Sequence, residues 1–454
     1  MNKEQFEHIL GIQLTNEMYD SFIDYTLKLM WEQYKENYMK QEILISNKVN
    51  DMNIPFPNGT VGKEYKNTIV IQDEDVTDFW FEGLDSINLK DKIDDDTHHL
   101  ITGIPEIAGT YDVKLCYKYK GWVNGMPTLE RIFHISINPD PKTLWQNIPT
   151  SKDIEYYKED SAINYVCVGD DIDVQKDIVV ASQRGRSHAN KGIPRDDDFR
   201  VEFCKETKWY VMAVADGAGS AKYSRKGSRV ACNVAVEHCL TKLKDSEDFE
   251  EYIKIFKNEG ETPENRKWVG DNIYDIVGNA ALKAHKSIAD EATSKGRNIK
   301  EYATTLLLAI CKKFDFGWFV ASFWVGDGAL CLYDKNRQYI KLLGQPDGGE
   351  FAGQTRFLTM KEIFSDPKSF YQRLRFSIED DFTSLMLMTD GVSDPKFGAE
   401  ANLNKVKVWD NLWNDITSEV DLTDNNAQSA NQLLKWLDFW AEGEHDDRTI
   451  AILY

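Results

Sequence analysis

The sequence predicts a multidomain chain: an N-terminal helical segment, a small all-β module and a large C-terminal α+β domain. Three observations carry this expectation. Apolar residues recur at near-helical spacing through residues 1–50, the pattern changes to short β-like runs over 58–140, and strands and helices occur in mixed order from 176 to 454. With 454 residues the chain can build two or three cores, and its 42% hydrophobic and 12% aromatic content suits folded domains.

In the first segment Phe6, Leu10, Met18, Phe22, Leu27 and Met30 return at near-helical intervals with charges between them. Two Pro and a Gly between residues 50 and 59 read as a linker. In the second segment NTIVIQ, TYDVKLCYKY and RIFHISINP concentrate β-formers, and Asn124–Gly125 separates the last two as a hairpin turn does. His98 and His99, in DDDTHHL, are expected in a loop of this module. Residues 141–175 carry Trp145, Tyr156 and Tyr157 and read as a linker packed on a domain.

In the third segment KWYVMAVAD is a predicted strand and 224–244 a helix, with a second helix over 271–292. ATTLLLAICKK, WFVASFWVG, ALCLYD and RQYIKLL read as a β meander. Helices around 404–418 and 427–441 precede a terminal strand, TIAILY. Consecutive strands with separate helix pairs point to α+β layers and away from a parallel sheet.

Charge narrows the function classes. The chain has 54 basic and 75 acidic residues, a formal net charge of −21. An acidic surface argues against nucleic acid or an anionic membrane as partner, because phosphate contacts need Lys and Arg. A phosphorylated substrate would have to be drawn in locally, by bound cations. Seven scattered Cys, with no Cys-x-x-Cys pair, are expected to be reduced and buried. MNKEQFEHIL has no apolar signal core, and no run approaches the ~20 residues of a membrane span, so the expected location is cytoplasmic.

The chemistry is carried by VADGAGS around Asp216, VGDGA around Asp327, MTDGVSD around Asp390 and HDDRT around Asp446. Three of these aspartates follow a short apolar run, which puts each carboxylate at the mouth of a strand. One Asp-Gly pair is an ordinary turn, and that of Asp327, between WFVASFWV and ALCLY, is almost as well explained as a hairpin turn; the ordered strings around Asp216, Asp390 and Asp446 are not. Carboxylates gathered in one place repel one another unless cations lie between them, and oxygen-only ligands select hard Mg²⁺ or Mn²⁺. The arrangement predicts a divalent-metal hydrolase.

Together with the opening string SQRGRSHANKGIPRDDDF at 182–199, these motifs resemble the metal-dependent protein phosphatases of the type 2C class, in particular their bacterial branch. The resemblance implies a four-layer αββα sandwich with two Mg²⁺ or Mn²⁺ ions, and in many bacterial members a third. It implies hydrolysis of phosphoserine and phosphothreonine in a protein substrate, with a Ser/Thr kinase as the opposing partner. By motif, Asp216 corresponds to the carboxylate bridging two ions and Gly217 to a carbonyl ligand. Asp390, Asp446 and Asp197 correspond to further ligands, and Asp327 and Asp394 to those of the additional ion. Asp196 and Asp198, flanking Asp197, leave that register open by one position.

Two departures stand out. Ala218 replaces the His that follows Asp-Gly in many relatives, and the phosphate-gripping Arg is missing at its usual spacing. Arg184, Arg186, His188 and Arg195 lie nearby, and His188 or Arg186 is expected to contact phosphate. These departures keep a second reading alive, a pseudophosphatase that binds a partner without chemistry. The β module, through GTVGKEYKNTI, LITGIPEIAGTYDVKL and a closing strand ending in NPDP, resembles bacterial immunoglobulin-like modules.

Overall fold

The computed structural model describes residues 2–95, 98–169, 176–347 and 355–454. The chain divides into two compact units, Met1–Leu144 and Trp145–Tyr454.

The first unit opens with helix α1 (Lys3–Leu10), started by a reciprocal pair of hydrogen bonds between Asn2 and Gln5 and stopped by Gly11 at φ 67°. Helix α2 (Asn16–Asp51) begins behind Thr15, whose hydroxyl accepts the Met18 N–H. Seven strands follow: β1 (Gly59–Thr60), β2 (Tyr65–Val70), β3 (Val76–Glu82), β4 (Leu89–Asp95), β5 (His98–Gly103), β6 (Gly109–Tyr119) and β7 (Leu129–Asn138). They form one sheet in the order β1-β7-β6-β3 and another in the order β2-β5-β4. Ile69, Leu89 and Ile101 of one sheet share a core with Val113, Leu115 and Ile135 of the other, joined by Ile45 and Val49 of α2.

His98 and His99 are in β5, not in a loop. His99 is buried because Asp91 on the neighbouring strand meets its Nδ1 at 2.7 Å while Phe79 stacks on the ring at 3.9 Å. Asp96 and Thr97 of the same string lie outside the described residues.

The second unit runs β8 (Ser161–Val166), β9 (Ile178–Gln183), α3 (Arg186–Ala189), β10 (Asp198–Phe203), β11 (Tyr210–Ala215), α4 (Ser224–Lys242), α5 (Glu247–Glu259), α6 (Pro263–Ile273) and α7 (Asn279–Ser294). It continues β12 (Leu306–Phe314), β13 (Gly317–Val325), β14 (Ala329–Asp334), β15 (Tyr339–Gly344), α8 (Glu362–Ser365), α9 (Pro367–Tyr371), β16 (Leu374–Glu379), β17 (Ser384–Met388), α10 (Asp390–Phe397), α11 (Val406–Glu419), α12 (Ser429–Trp436) and β18 (Arg448–Leu453). Two antiparallel sheets result, β10-β11-β12-β13-β16 and β15-β14-β17-β18-β9-β8. Val214, Leu307, Leu330, Leu387 and Leu453 pack between them. Apolar faces of α4 and α7 cover one outer surface, and those of α11 and α12 cover the other. The layers are therefore helix, sheet, sheet, helix. Strands with both faces covered read as continuous apolar runs, as in the nine buried residues of β13.

Part of the stretch 141–175 read as linker is a strand, β8, at the edge of the six-stranded sheet. The run expected as one meander also divides: β12 and β13 belong to one sheet, β14 and β15 to the other. The chain crosses between sheets at Gly326-Asp327-Gly328, with Gly326 at φ 118°. Asp327 thus stands at a corner between sheets and not in a hairpin. Among the described residues no helix is long and apolar enough to cross a membrane.

Candidate active site

Asp216 follows the last residue of β11, and Thr304 and Thr305, just before β12, fix its backbone. Its N–H donates to Thr305 Oγ1 at 2.8 Å, and its carbonyl accepts from the Thr305 N–H and Thr304 Oγ1, both at 2.8 Å. Gly217 is required because a Cβ there would lie 2.8 Å from the Asp196 carbonyl oxygen and 2.9 Å from the backbone of Ser224. Asp390 opens α10 directly after β17, and its Oδ1 accepts the N–H of Gly391 at 2.7 Å. A Cβ at Gly391 would stand 1.9 Å from the Asp447 carbonyl, so this Asp-Gly pair is a close approach between chain segments. With Asp327 at its corner, one carboxylate oxygen each of Asp216, Asp327 and Asp390 lie within 4.8 Å of one another.

The remaining predicted ligands gather around these three. Asp197 is fully buried; its Oδ2 accepts from Thr389 Oγ1 at 2.9 Å and Thr449 Oγ1 at 2.7 Å, while its Oδ1 has no hydrogen-bond partner. Asp327 Oδ1 is likewise buried without one. Burial, reinforced by Asp447, pushes Asp197 up to about 7. Burial and then the charges of Asp390, Asp197, Asp446 and Asp327 hold Asp216 well above the ordinary carboxylate range. Asp390 is raised in the same way, by burial and then by Asp327, Asp446, Asp197 and Asp394. Asp394 is pushed up to about 6 by burial and Glu444, and Asp446 is raised by burial and Asp447. A cavity of about 800 Å³ lies over Asp327 and Asp394, with Trp440 and Glu444 in its wall. Six mutually repelling carboxylates with two orphaned buried oxygens fit a set of hard divalent cations.

The four basic residues considered for phosphate are held elsewhere. His188 is buried, with Nδ1 3.0 Å from Asp447 Oδ2 and Nε2 3.7 Å from Asp196 Oδ2. Burial pulls the imidazole down, but Asp447 overrides it and lifts His188 to about 9. Asp447 in turn is held low, His188 outweighing its burial, and it accepts the Gly185 N–H at 2.6 Å and the Asp196 N–H at 2.5 Å. Arg186 donates to Asp438 Oδ1 at 2.7 Å and the Phe439 carbonyl at 3.2 Å. Arg184 is buried against Asn147, Ile148, Thr150 and Asp160. Arg195 is buried between Ser182 and the Asp197 carbonyl. The expectation that His188 or Arg186 grips phosphate does not fit these contacts, because both side chains already face carboxylates and carbonyls.

Sequence reasoning missed the residues that hold the ligands in place. Thr389 and Thr449 orient Asp197, and Asp447 ties the opening loop to the last strand. Asp447 had a visible signal, the doubled Asp of HDDRT. Lys158 had none: its buried Nζ donates to the carbonyls of Asp196 at 3.1 Å and Asp197 at 2.8 Å and to Ser228 Oγ at 2.9 Å, and it pairs with Asp198 at 2.9 Å.

The model of the protein phosphatase 2C family matches residues 184–438, more than half of the chain. The chain belongs to the protein phosphatase 2C family. The matched segment of this protein phosphatase holds Asp197, Asp216, Asp327, Asp390 and Asp394, and Asp446 lies just beyond its end. No curated protein sequence matches the phosphatase. Among solved structures it is similar to serine-threonine phosphatase 2C from Toxoplasma gondii, with 12% identity, 64% of this chain and 98% of that one covered, and a TM-score of 0.40. A serine/threonine phosphatase from Staphylococcus aureus is similar at 13% identity, covering 61% and 93% of the two chains, with a TM-score of 0.33. The catalytic domain of PstP, a serine threonine protein phosphatase solved with two manganese ions, is similar at 13% identity, covering 61% and 97%, with a TM-score of 0.33. Membership rests on the family match and not on these distant likenesses.

Proposed function

We propose that the phosphatase hydrolyses phosphoserine or phosphothreonine in a bacterial cytoplasmic protein, using Mg²⁺ or Mn²⁺ and opposing a Ser/Thr kinase. The convergence of Asp216, Asp327 and Asp390 within 4.8 Å, inside the matched family segment, carries the reading. Asp216, the Gly217 carbonyl, Asp390, Asp446 and Asp197 would hold two ions, and Asp327 with Asp394 would serve a third. Bound there, such ions supply an acidified water as nucleophile and positive charge against the phosphoryl oxygens.

The chain's own work is positional. Thr304 and Thr305 fix Asp216, Thr389 and Thr449 fix Asp197, and the His188–Asp447 pair joins the opening loop to the C-terminal string. With Arg184, Arg186, His188 and Arg195 all committed, phosphate charge falls to the cations, which suits an acidic protein. Residues 1–50, 58–140, 141–175 and 176–454 are read as helical segment, immunoglobulin-like module, packed linker and catalytic domain. Two sheets around one core support the immunoglobulin-like reading of the β module.

Asp216→Asn and Asp390→Asn are expected to abolish Mn²⁺-dependent release of phosphate from a phosphopeptide while the circular dichroism of the metal-free protein stays unchanged. Unaltered turnover in either variant would sink the assignment. Ala218 and the committed basic side chains favour the second reading, an inactive partner-binding module. Calorimetry separates the two: an inactive module shows no tight Mn²⁺ site that Asp216→Asn removes.

A further inference from the structure

Helix α2 carries eleven exposed large apolar side chains, and among its described residues none from Asn16 to Leu44 is buried. Its C-terminal end is anchored by Ile45 and Val49 in the core of the β module and by Arg131, which donates to the Val49 and Met52 carbonyls at 2.7 and 2.8 Å. A helix apolar on more than one face is a buried element waiting for neighbours. Its charges, including Asp24, Lys28, Glu32 and Glu36, exclude a lipid core.

The apolar side chains fall in two rows. Met18, Phe22, Tyr25 and Leu29 form one, and α1 partly covers it through Phe6, whose ring lies 4.9 Å from that of Phe22. Ile23, Leu27, Met30 and Tyr34 form the other, roughly 140° around the helix. Their 4-3-4 spacing is that of a coiled-coil seam. Leu27, Met30, Trp31 and Tyr34 are 61%, 62%, 60% and 54% exposed, so most of this second row faces solvent.

We propose that the occupant is a second copy of this chain, the two α1–α2 pairs forming a four-helix bundle across the seam of Ile23, Leu27, Met30 and Tyr34. Charge at the seam favours a like helix. The flanking positions are Asp24, Thr26, Trp31 and Gln33, and the one charge among them is paired within its own helix, Lys28 Nζ lying 2.9 Å from Asp24. No ionic code for a different partner is written there, and two copies meet without like-charge repulsion. The area suffices: the seam residues with Trp31 and Leu44 offer on the order of 500 Å² per copy. Two copies then bury about 1,000 Å², the lower bound for a specific interface, before neighbouring residues are added.

The test is light scattering and sedimentation of the full chain over a concentration series, beside the double variant Leu27→Glu, Met30→Glu. Both positions are exposed and Glu is a good helix former, so circular dichroism and Mn²⁺-dependent turnover should stay at wild-type level. The expected result is twice the chain mass for wild type and the single mass for the variant. Any other wild-type mass, or a two-copy mass that the variant leaves intact, overturns the proposal.

Discussion

Replacing Lys158 with methionine removes one buried charge while keeping an unbranched stem of similar length. In the wild type the Lys158 ammonium meets two carbonyls, one hydroxyl and the Asp198 carboxylate, all within 3.1 Å. Burial lowers its pKa, partly offset by Asp198. Breaking a buried pair by removing one partner costs about 3–5 kcal/mol, because the other charge and the bonded oxygens are left unpaired. Asp198 keeps some solvent and a second cation, Arg229 at 3.6 Å, so the lower end applies, about 3 kcal/mol. For a unit of this size that is a fall in Tm of roughly 6 °C. The two carbonyls belong to Asp196 and Asp197, so a site effect is expected as well: Mn²⁺ affinity should weaken about tenfold, as for other residues that support metal ligands. Thermal scans and Mn²⁺ calorimetry on the same preparations read both. A fall in Tm with unchanged Mn²⁺ affinity would make Lys158 a brace of the fold alone. No change in either would refute the reasoning outright.

Two further outcomes follow from the electrostatics. In EDTA, Tm should fall between pH 4.5 and 6.5 by roughly a few degrees, since carboxylates raised to about 6 at Asp394 and about 7 at Asp197 bind protons more tightly folded than unfolded. The His188 contribution is fully present below about 6.5 and fades only as pH rises toward about 9, so this window isolates the carboxylates. Saturating Mn²⁺ should remove the slope; equal slopes with and without metal would contradict the cluster. His188→Gln leaves Asp447 buried without its cation and should cost about 3 kcal/mol with KM for a phosphopeptide changed less than about twofold. A KM raised about tenfold at unchanged Tm would instead restore His188 as a phosphate contact.

What the sequence made legible was whatever depends on a few adjacent residues. Asp216 and Asp390 could be placed because a short apolar run, an Asp and a Gly state a strand end and a close backbone approach in three successive symbols. The long N-terminal helix was legible from spacing, whereas the faces it covers were not, because cover depends on other chains of contacts. Asp327 was readable as a candidate ligand but not as a corner between sheets, since nothing local says whether the strands before and after it share a sheet. The contacts of the basic residues were hidden for a similar reason. Arg184, Arg186, His188 and Arg195 are close to the site in sequence, but their partners lie far along the chain; Asp447, which captures His188, is 259 residues away. Lys158 sits in no pattern at all, and its importance arises wholly from where the folded chain puts it.

The triple Asp of IPRDDDF shows how far a single geometric rule reaches once one strand is fixed. At 196–198 the residues enter β10, where successive side chains point to opposite faces. Asp196 and Asp198 should then turn one way and Asp197 the other. Asp196 meets Arg225 of α4 at 3.0 Å, and Asp198 meets Lys158 at 2.9 Å and Arg229 of α4 at 3.6 Å, so both look toward the helical layer. Asp197 turns to the opposite sheet, where Thr389 and Thr449 receive it. The two outer carboxylates are matched by cations that the chain itself supplies; the middle one is buried among other carboxylates with an oxygen left over. Alternation therefore separates Asp197 from its two identical neighbours, and a one-residue slip of β10 would turn Asp196 and Asp198 toward the site and Asp197 toward the helices.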